Sequence, residues 1–373
     1  MKKQFVYILI SFLAIQSIFS QDFNSNFYSD YGIDKNDSTK LFLAFENTNF
    51  FKNDEYFGKL TSGLTYIGTF VQPKLVYFPY SKIKIQAGVH LLKYSGFDIF
   101  SQALPVFSFQ YSPTKEVDFI MGSIYGGANH GIVEPMYSFE NHLINNLENG
   151  AQLLVHKQRL YLDIWLNWET FILKTSNSQE SILGGIHGDY LLYGDKEKSN
   201  LKFDYQSIFA HKGGQFHTEH DVLQTLVNMS FGLKYTKKLN SNWINSIGTD
   251  NYYLTYNDVS PSPKLPYTMG YAVSSELFLN SKLLSIRAGY WSGEYYISSR
   301  GNPLFMSISD KNEDYLLPRT ELLTAKLALR KQWFKDVMFE ARFESYMDLQ
   351  QMQFEYSYSF YIIFNRAFFL KKL

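Results

Sequence analysis

Hydrophobic and polar residues alternate along most of the chain from residue 40 onward. In the stretch VMFEARFESYM at 337–347, the phenylalanines fall on one face of an extended strand. Glu340, Arg342 and Glu344 fall on the other face, because successive side chains of a strand point to opposite sides. The same period of two recurs clearly at 83–94, 159–173 and 352–366. This pattern predicts β-strands rather than helices.

Segments of this kind follow one another along the whole chain and predict sixteen strands, with fourteen as the alternative count. The predicted strands are 40–49, 63–78, 83–94, 102–111, 117–126, 149–156, 159–173, 181–193, 200–212, 222–237, 242–256, 268–280, 282–292, 319–333, 336–347 and 352–366.

The connections between these strands alternate in length. Every second connection is a tight turn, such as YSK near 80 or KQ at 157, and the others include the long segments 127–148 and 293–318. Membrane barrels have short turns on the periplasmic side and longer loops on the outer side. The expected fold is therefore an all-β, transmembrane, antiparallel up-and-down β-barrel with short periplasmic turns and longer outer loops.

Composition indicates which strand face meets lipid. Aromatic residues make up 18% of the chain, with 33 Phe and 29 Tyr, and the apolar faces carry many of them near strand ends, as in the aromatic girdles of membrane barrels. No segment after the N-terminus approaches the ~20 apolar residues that a membrane-spanning helix needs. We therefore expect apolar side chains to face lipid and charged ones to face the lumen. A secreted soluble β-sandwich or propeller is the alternative.

The N-terminus has the layout of a secretory signal peptide. Lys2 and Lys3 precede the apolar run FVYILISFLAI, and the small residue Ser20 precedes Gln21. We expect a signal peptide at 1–20, a short periplasmic segment at 21–39 and a barrel at 40–373. The chain has no cysteine, so no disulfide supports the exported fold. Its 35 basic residues balance 35 acidic ones, which gives no electrostatic support for a nucleic-acid partner.

Two segments resemble those of bacterial outer-membrane barrels. FEYSYSFYIIFNRAFF at 354–369 resembles their aromatic-ended closing strand, although LKKL follows it here. The sixteen-strand plan is similar to that of general porins, whose third outer loop folds into the barrel and narrows it. The corresponding segment, GGANHGIVEPMYSFENHLINNLENG at 126–150, contains three glutamates and no Lys or Arg. The resemblance implies an outer-membrane location, with the outer loop 127–148 as a constriction.

The charged residues predicted to face the lumen are mixed, with six basic and seven acidic side chains. This balance argues against a strongly ion-selective pore. We expect Glu134 and Glu140 of the third loop to face Arg287, Arg330 or Arg342 across the constriction. The alternatives are a solvated surface loop with a helical turn, and wall charges that pair with their own neighbours. The candidate residues are Glu134, Glu140, Arg287, Arg330, Glu340, Arg342 and Glu344.

These features favour a channel for passive diffusion of small hydrophilic solutes, in contact with outer-membrane lipid and without a cofactor. The alternative is a non-conducting barrel that serves as a scaffold or binds a surface polysaccharide or another outer-membrane protein; aromatic residues of EYYISSRGNPLF at 294–305 suit stacking on sugar rings. No spacing identifies a nucleophile with a positioned base, so the sequence predicts that the protein is not an enzyme, with a barrel lipase or protease left open.

One outer loop raises the question of a metal. HKGGQFHTEHD at 211–221 contains His217, Glu219 and His220, and histidine with carboxylate can bind a divalent ion. The spacing matches no established site, and a polar exposed loop is the favoured interpretation. These three residues are weak metal candidates only.

Overall fold

The computed structural model describes residues 23–29, 32–174, 178–195, 197–214 and 223–373. Sixteen antiparallel strands form a closed barrel in which each strand pairs with its neighbours in sequence and the first pairs with the last. The strands are β1 (Lys40–Glu55), β2 (Thr65–Tyr80), β3 (Ile83–Tyr94), β4 (Gln102–Thr114), β5 (Val117–Ile124), β6 (Glu148–His156), β7 (Leu160–Thr170), β8 (Ser181–Gly194), β9 (Ser199–Lys212), β10 (Gln224–Lys238), β11 (Ile244–Asp258), β12 (Met269–Ser281), β13 (Leu284–Glu294), β14 (Arg319–Phe334), β15 (Val337–Asp348) and β16 (Gln353–Lys372). The predicted fold class and strand number are confirmed.

The two strands that close the barrel are longer than the alternation predicted. β1 continues to Glu55, through the polar stretch KNDE that sequence analysis assigned to a loop, and β16 continues through LKKL to Lys372. The two extensions pair at opposite ends of the same ladder, Glu55 with Tyr356 and Lys40 with Lys372. Polar residues are compatible with a strand here because β1 and β16 are held together by pairing of their backbones rather than by burial of one apolar face.

The faces of the strands have the polarity of a membrane barrel. On the outer wall Phe107, Met121 and Leu277 are 59%, 65% and 64% exposed, whereas Glu340 on the lumen side is fully buried. Apolar side chains thus face outward and charged ones inward, as the alternation predicted. None of the described helices is long and apolar enough to cross a membrane.

Two long connections fold inward and fill much of the lumen. The third outer connection, 125–147, contains a 3₁₀ turn at Gly127–His130 and a short helix, α1 (Glu140–Ile144). It pairs with the connection between β13 and β14 through a bridge from Tyr137 to Arg300. Side chains from both connections, including Met136 and Leu304, are buried against the barrel wall.

The N-terminal segment also enters the lumen. Sequence analysis placed 21–39 in the periplasm, but Phe23 and Phe27 are buried, and Arg342 of the wall contacts both of their rings. Aromatic rings gain free energy by leaving water, and the guanidinium groups inside the barrel offer them cation–π partners. Residues 23–29 therefore lie inside the lumen, and the expected division of the chain at residue 40 stays a prediction. Residues 1–20 of the expected signal peptide lie outside the described residues.

Candidate functional site

His130 attaches the third outer connection to the barrel wall. Its Nδ1 lies 2.7 Å from Asp163 of β7 and its Nε2 lies 3.1 Å from Glu148 of β6. The imidazole stacks on Trp165 with ring centres 4.0 Å apart. Burial opposes a charge on this ring, but Glu148 and Asp163 outweigh it and raise the pKa of His130 to about 9. Because both nitrogens have partners, His130 holds the connection in place and offers no free base.

His142, in α1, has the opposite environment. Its ring packs against three aromatic rings, at centre distances of 5.4 Å to Phe27, 5.6 Å to Phe139 and 5.7 Å to Phe70. Its Nδ1 is buried and has no hydrogen-bond partner among the described residues. Burial, together with the positive charge of Arg342, lowers the pKa of His142 to about 3. The imidazole is therefore neutral at physiological pH.

A polar cavity of about 60 Å³ lies beside His142. Ser108 also lines it, and its buried hydroxyl, like Nδ1 of His142, has no partner among the described residues. Buried polar atoms in folded proteins are nearly always hydrogen-bonded, so two such atoms on one cavity indicate a place for water or for a polar atom of a ligand. The other polar lining side chains are Ser29, Glu46, Thr48, Gln72, Lys74, Gln86, Ser123, Tyr125, Asn129, Asn146 and Asn365.

The wall around this cavity carries paired charges and amides. Lys74 of β2 donates to Glu46 of β1 at 2.6 Å, and Gln72 bonds to a ring nitrogen of His90 at 3.0 Å. A neutral imidazole next to hydroxyl, carboxylate and ammonium groups has the components for general base catalysis with stabilisation of an oxyanion. We name this set of residues the His142 site.

Gly127 shows how closely the connection approaches His142. Its φ is +60°, a conformation that favours glycine, and a Cβ added there would lie 3.0 Å from Nδ1 of His142. Its backbone N–H donates to Glu148 at 2.9 Å. A glycine at 127 therefore leaves space at Nδ1 of His142, a buried nitrogen that has no hydrogen-bond partner among the described residues.

The structure places the predicted constriction residues in four groups of ion pairs. Glu134 of the third loop contacts Lys326 rather than an arginine, accepts a hydrogen bond from Tyr346 at 2.9 Å and accepts another from Asn302 at 2.7 Å. Glu344 lies 3.6 Å from the same lysine. The expected pairing of the loop glutamates with Arg287, Arg330 or Arg342 is not what the structure shows.

The other candidates form ion pairs with residues of the wall. Glu140 contacts Lys52 at 2.5 Å, and Arg287 contacts Glu276. Glu340 accepts hydrogen bonds from Nε of both Arg330 and Arg342, at 3.1 Å and 2.5 Å. Charges inside the wall thus satisfy one another, because a buried charge without a partner is strongly destabilising.

A second, larger cavity of about 150 Å³ lies among these pairs. The third connection contributes Glu134 and Tyr137 to its lining, and the N-terminal segment contributes Phe23 and Asn24. The remaining polar lining side chains belong to the wall: Lys234, Asp250, Tyr252, Ser274, Glu276, Arg287, Tyr290, Trp291, Thr324, Lys326, Arg342 and Glu344.

A metal cluster is the weaker reading of the lumen histidines. His187, Asp189 and Asp204 have ligand atoms within 4.8 Å of one another. However, Lys202 lies 2.8 Å from Asp189 and Lys234 lies 3.4 Å from Asp204, so ammonium groups already balance both carboxylates. The earlier metal candidates His217, Glu219 and His220 lie outside the described residues.

The model of the family described as Lipid A 3′-O-deacylase-type matches residues 33–373. The chain belongs to this family. The expectation that the protein is not an enzyme is wrong, because the family is named for an enzyme. No curated protein matches the chain.

Solved structures similar to this member of the deacylase-type family are outer-membrane barrels. OprD from Pseudomonas aeruginosa has a TM-score of 0.52 and 11% identity over 91% of this chain and 98% of its own. A loop-deletion mutant of OmpT from Vibrio cholerae has 0.52 and 10% over 87% and 98%. OccAB4 from Acinetobacter baumannii has 0.52 and 12% over 90% and 100%. The fold resemblance and the outer-membrane location are confirmed.

The histidines of the site were not predicted from the sequence. The acidic pattern of the third connection points to its glutamates, whereas His130 and His142 from the same 25-residue stretch occupy buried polar positions. Two histidines in a loop with no Lys or Arg were the available signal. Their different roles were not readable, because the partners of His130 come from two strands and the neighbours of His142 include the N-terminal segment.

Proposed function

We propose that this protein is an outer-membrane acyl-ester hydrolase that acts on lipid A-type glycolipids, with His142 as its general base. The observation that carries the proposal is the match of the deacylase-type family model to residues 33–373, which span the whole barrel. The His142 site supports it, because His142 and Ser108 line the same polar cavity and each has a buried polar atom without a hydrogen-bond partner among the described residues.

The reaction follows from the groups that line the cavity. A water molecule attacks the acyl carbon as Nδ1 of His142 accepts its proton, and the new carbon–oxygen bond creates an oxyanion. Lys74 and Gln72, which line the cavity, would stabilise that charge. Collapse of the intermediate breaks the ester bond, the proton passes from His142 to the departing sugar oxygen, and a fatty acid is released.

The low pKa of His142 bears on when this step occurs. A ring with a pKa of about 3 is neutral but is a weak base. Burial by the surrounding rings and the charge of Arg342 cause the depression, and a developing oxyanion nearby opposes both effects by stabilising the imidazolium. We therefore propose that the arrangement with Phe27 against His142 is a resting state.

The variant His142→Gln tests the proposal. With lipid A in mixed micelles and mass spectrometry of released fatty acid, we expect wild type to release acyl chains and His142→Gln to lose about 100-fold or more of the rate. His211→Gln is the matched control, because His211 hydrogen-bonds to Thr225 at the outer end of β9, away from the cavity. Equal activity of His142→Gln and wild type would remove His142 from the mechanism.

A second candidate function is passive diffusion of small hydrophilic solutes. The lumen cavity of about 150 Å³, with charged residues of both signs on its lining, favours it. Passage needs the inward segments to move, so this function predicts rare but discrete conductance steps from wild-type protein in a planar bilayer. A silent, folded wild-type barrel would leave the hydrolase as the sole candidate.

A further inference from the structure

Phe23 lies among four cationic side chains of the barrel wall. The centre of its ring is 4.6 Å from the guanidinium of Arg342, 5.6 Å from that of Arg287, 5.7 Å from that of Arg330 and 6.0 Å from the ammonium of Lys326. Each contact is a favourable cation–π interaction. One aromatic residue of the N-terminal segment thus covers basic groups that would otherwise face the lumen.

Polar atoms of the same segment also occupy the donors of the wall. The carbonyl oxygen of Phe23 accepts hydrogen bonds from Arg330 and, at 3.1 Å, from Arg342. The side-chain oxygen of Asn24 accepts from Arg342 at 2.8 Å, and Asn26 donates to Glu340. The segment therefore binds the wall as a peptide ligand would, through its carbonyl and amide groups.

Phe27 covers the His142 site. Its ring is 5.4 Å from the ring of His142, 4.8 Å from that of Phe139 and 5.0 Å from that of Tyr361. Phe27 is itself buried, and it lines the 60 Å³ cavity together with Ser29. Access to Nδ1 of His142 from this side requires the phenylalanine to move.

The segment forms a wall of both cavities. Phe23 and Asn24 line the larger one, and Phe27 and Ser29 line the smaller one, so residues 23–29 lie between the two spaces. Arg342, which lines the larger cavity, is also 4.5 Å from the ring of Phe139 beside His142. Withdrawal of the segment would leave one continuous polar space next to His142.

The segment is held by side chains rather than by the sheet. No described strand pairs with residues 23–29, and their backbone hydrogen bonds to one another are those of a single turn, from Phe27 N–H to Asn24 and from Tyr28 N–H to Ser25. A segment without ladder hydrogen bonds can leave while the barrel stays closed, because the backbone pairs between β1 and β16 that close the barrel do not include it.

We propose that residues 23–29 are a displaceable plug, which closes the lumen and shields the His142 site until it moves out. Phe23 is the anchor in the cationic cluster and Phe27 is the cover over His142. Withdrawal of the plug opens one continuous space in the lumen whatever reaction the site performs, so the proposal does not rest on the hydrolase function.

The full-length exported chain with Phe23→Ala and Phe27→Ala tests the plug. In a planar bilayer we expect wild type to be closed almost all the time and the double variant to open at least about tenfold more often, since one lost ring contact weakens closure by a factor of about two to thirty. The matched control is Phe57→Ala with Phe100→Ala, two phenylalanines that are 60% and 49% exposed outside the plug. Heat-modifiable migration in gels confirms that each barrel is folded.

A thiol probe gives a second readout that does not depend on conductance. The chain has no cysteine, so Ser108→Cys places a single thiol at the smaller cavity. We expect a water-soluble maleimide to label it about tenfold or more faster in the Phe23→Ala, Phe27→Ala background. If the folded double variant conducts and labels no faster than wild type and the control, the segment is a permanent part of the wall and the proposal is wrong.

Discussion

The guanidinium of Arg342 lies 4.5 Å from the centre of the Phe139 ring, so a charged side chain of the barrel wall packs against the residue that precedes α1. The same guanidinium bonds to Glu340 and to the N-terminal segment. Arg342 thus joins three parts of the chain that are far apart in sequence: β15, the third outer connection and the plug. Its removal tests how much the filled lumen depends on one residue.

Arg342→Gln should lower the free energy of unfolding by about 3 kcal/mol, because it breaks a buried ion pair and leaves part of the charge of Glu340 uncompensated. Urea unfolding in lipid vesicles, followed by tryptophan fluorescence, measures this change. Arg319→Gln is the control: Arg319 pairs with Glu321, but its side chain is 50% exposed, and we expect little effect. Equal stability of the two variants would show that Arg342 is not a central contact.

Docking of the third connection should depend on pH through His130. Its pKa is raised from 6.5 to about 9, so the ion pairs stabilise the folded form fully below pH 6.5 and are lost as the pH rises through about 9. Limited proteolysis within 126–147 should therefore be faster at pH 10 than at pH 6. His130→Gln should be cleaved readily at both pH values, and a wild-type rate that is constant over this range contradicts the role of the ion pairs.

Gly127→Ala should impair the His142 site more than it destabilises the barrel. A methyl group at this position meets Nδ1 of His142 at 3.0 Å, and the positive φ adds strain of about 1 kcal/mol. Gly96→Ala is a matched control, because Gly96 also has a positive φ but no atom lies within 4 Å of an added Cβ. We expect similar unfolding free energies for the two variants and lost acyl release only for Gly127→Ala.

Alanine substitutions at two serines of β4 should have different effects on the stability and the activity of the protein. The hydroxyl of Ser108 has no partner among the described residues, whereas that of Ser112 donates to Asp118. Ser108→Ala should leave the unfolding free energy unchanged or raise it while lowering acyl release. Ser112→Ala should lower the unfolding free energy by about 1 kcal/mol and leave the rate unchanged. A destabilised Ser108→Ala protein would mean that its hydroxyl has a structural role.

The strands could be predicted from sequence because alternate side chains of a membrane-barrel strand face lipid and the lumen, so apolar and polar residues alternate. VMFEARFESYM at 337–347 is the clearest case: its charged residues are buried in the lumen, and β15 spans Val337–Asp348. The ends of β1 and β16 were harder to predict, because whether a polar segment forms a strand there depends on the strand that it pairs with rather than on its own pattern.

The site was harder to predict because its contacts join distant segments. Glu134 meets Lys326 in place of the expected arginines, and those arginines bind the N-terminal segment instead. Charge complementarity predicted that loop and wall would pair but could not choose between similar basic residues. The position of Phe27 against His142 has no sequence signal, since neither residue lies in a repeated pattern.

The most direct test of the hydrolase account is a time course of acyl release from lipid A by the purified, folded protein, followed by mass spectrometry. The account predicts a fatty acid and a lipid A product that has lost the mass of one acyl chain and gained one hydroxyl hydrogen, at a rate that His142→Gln reduces by about 100-fold or more. Intact lipid A after prolonged incubation with the Phe23→Ala, Phe27→Ala protein, in which the plug no longer shields His142, would contradict it.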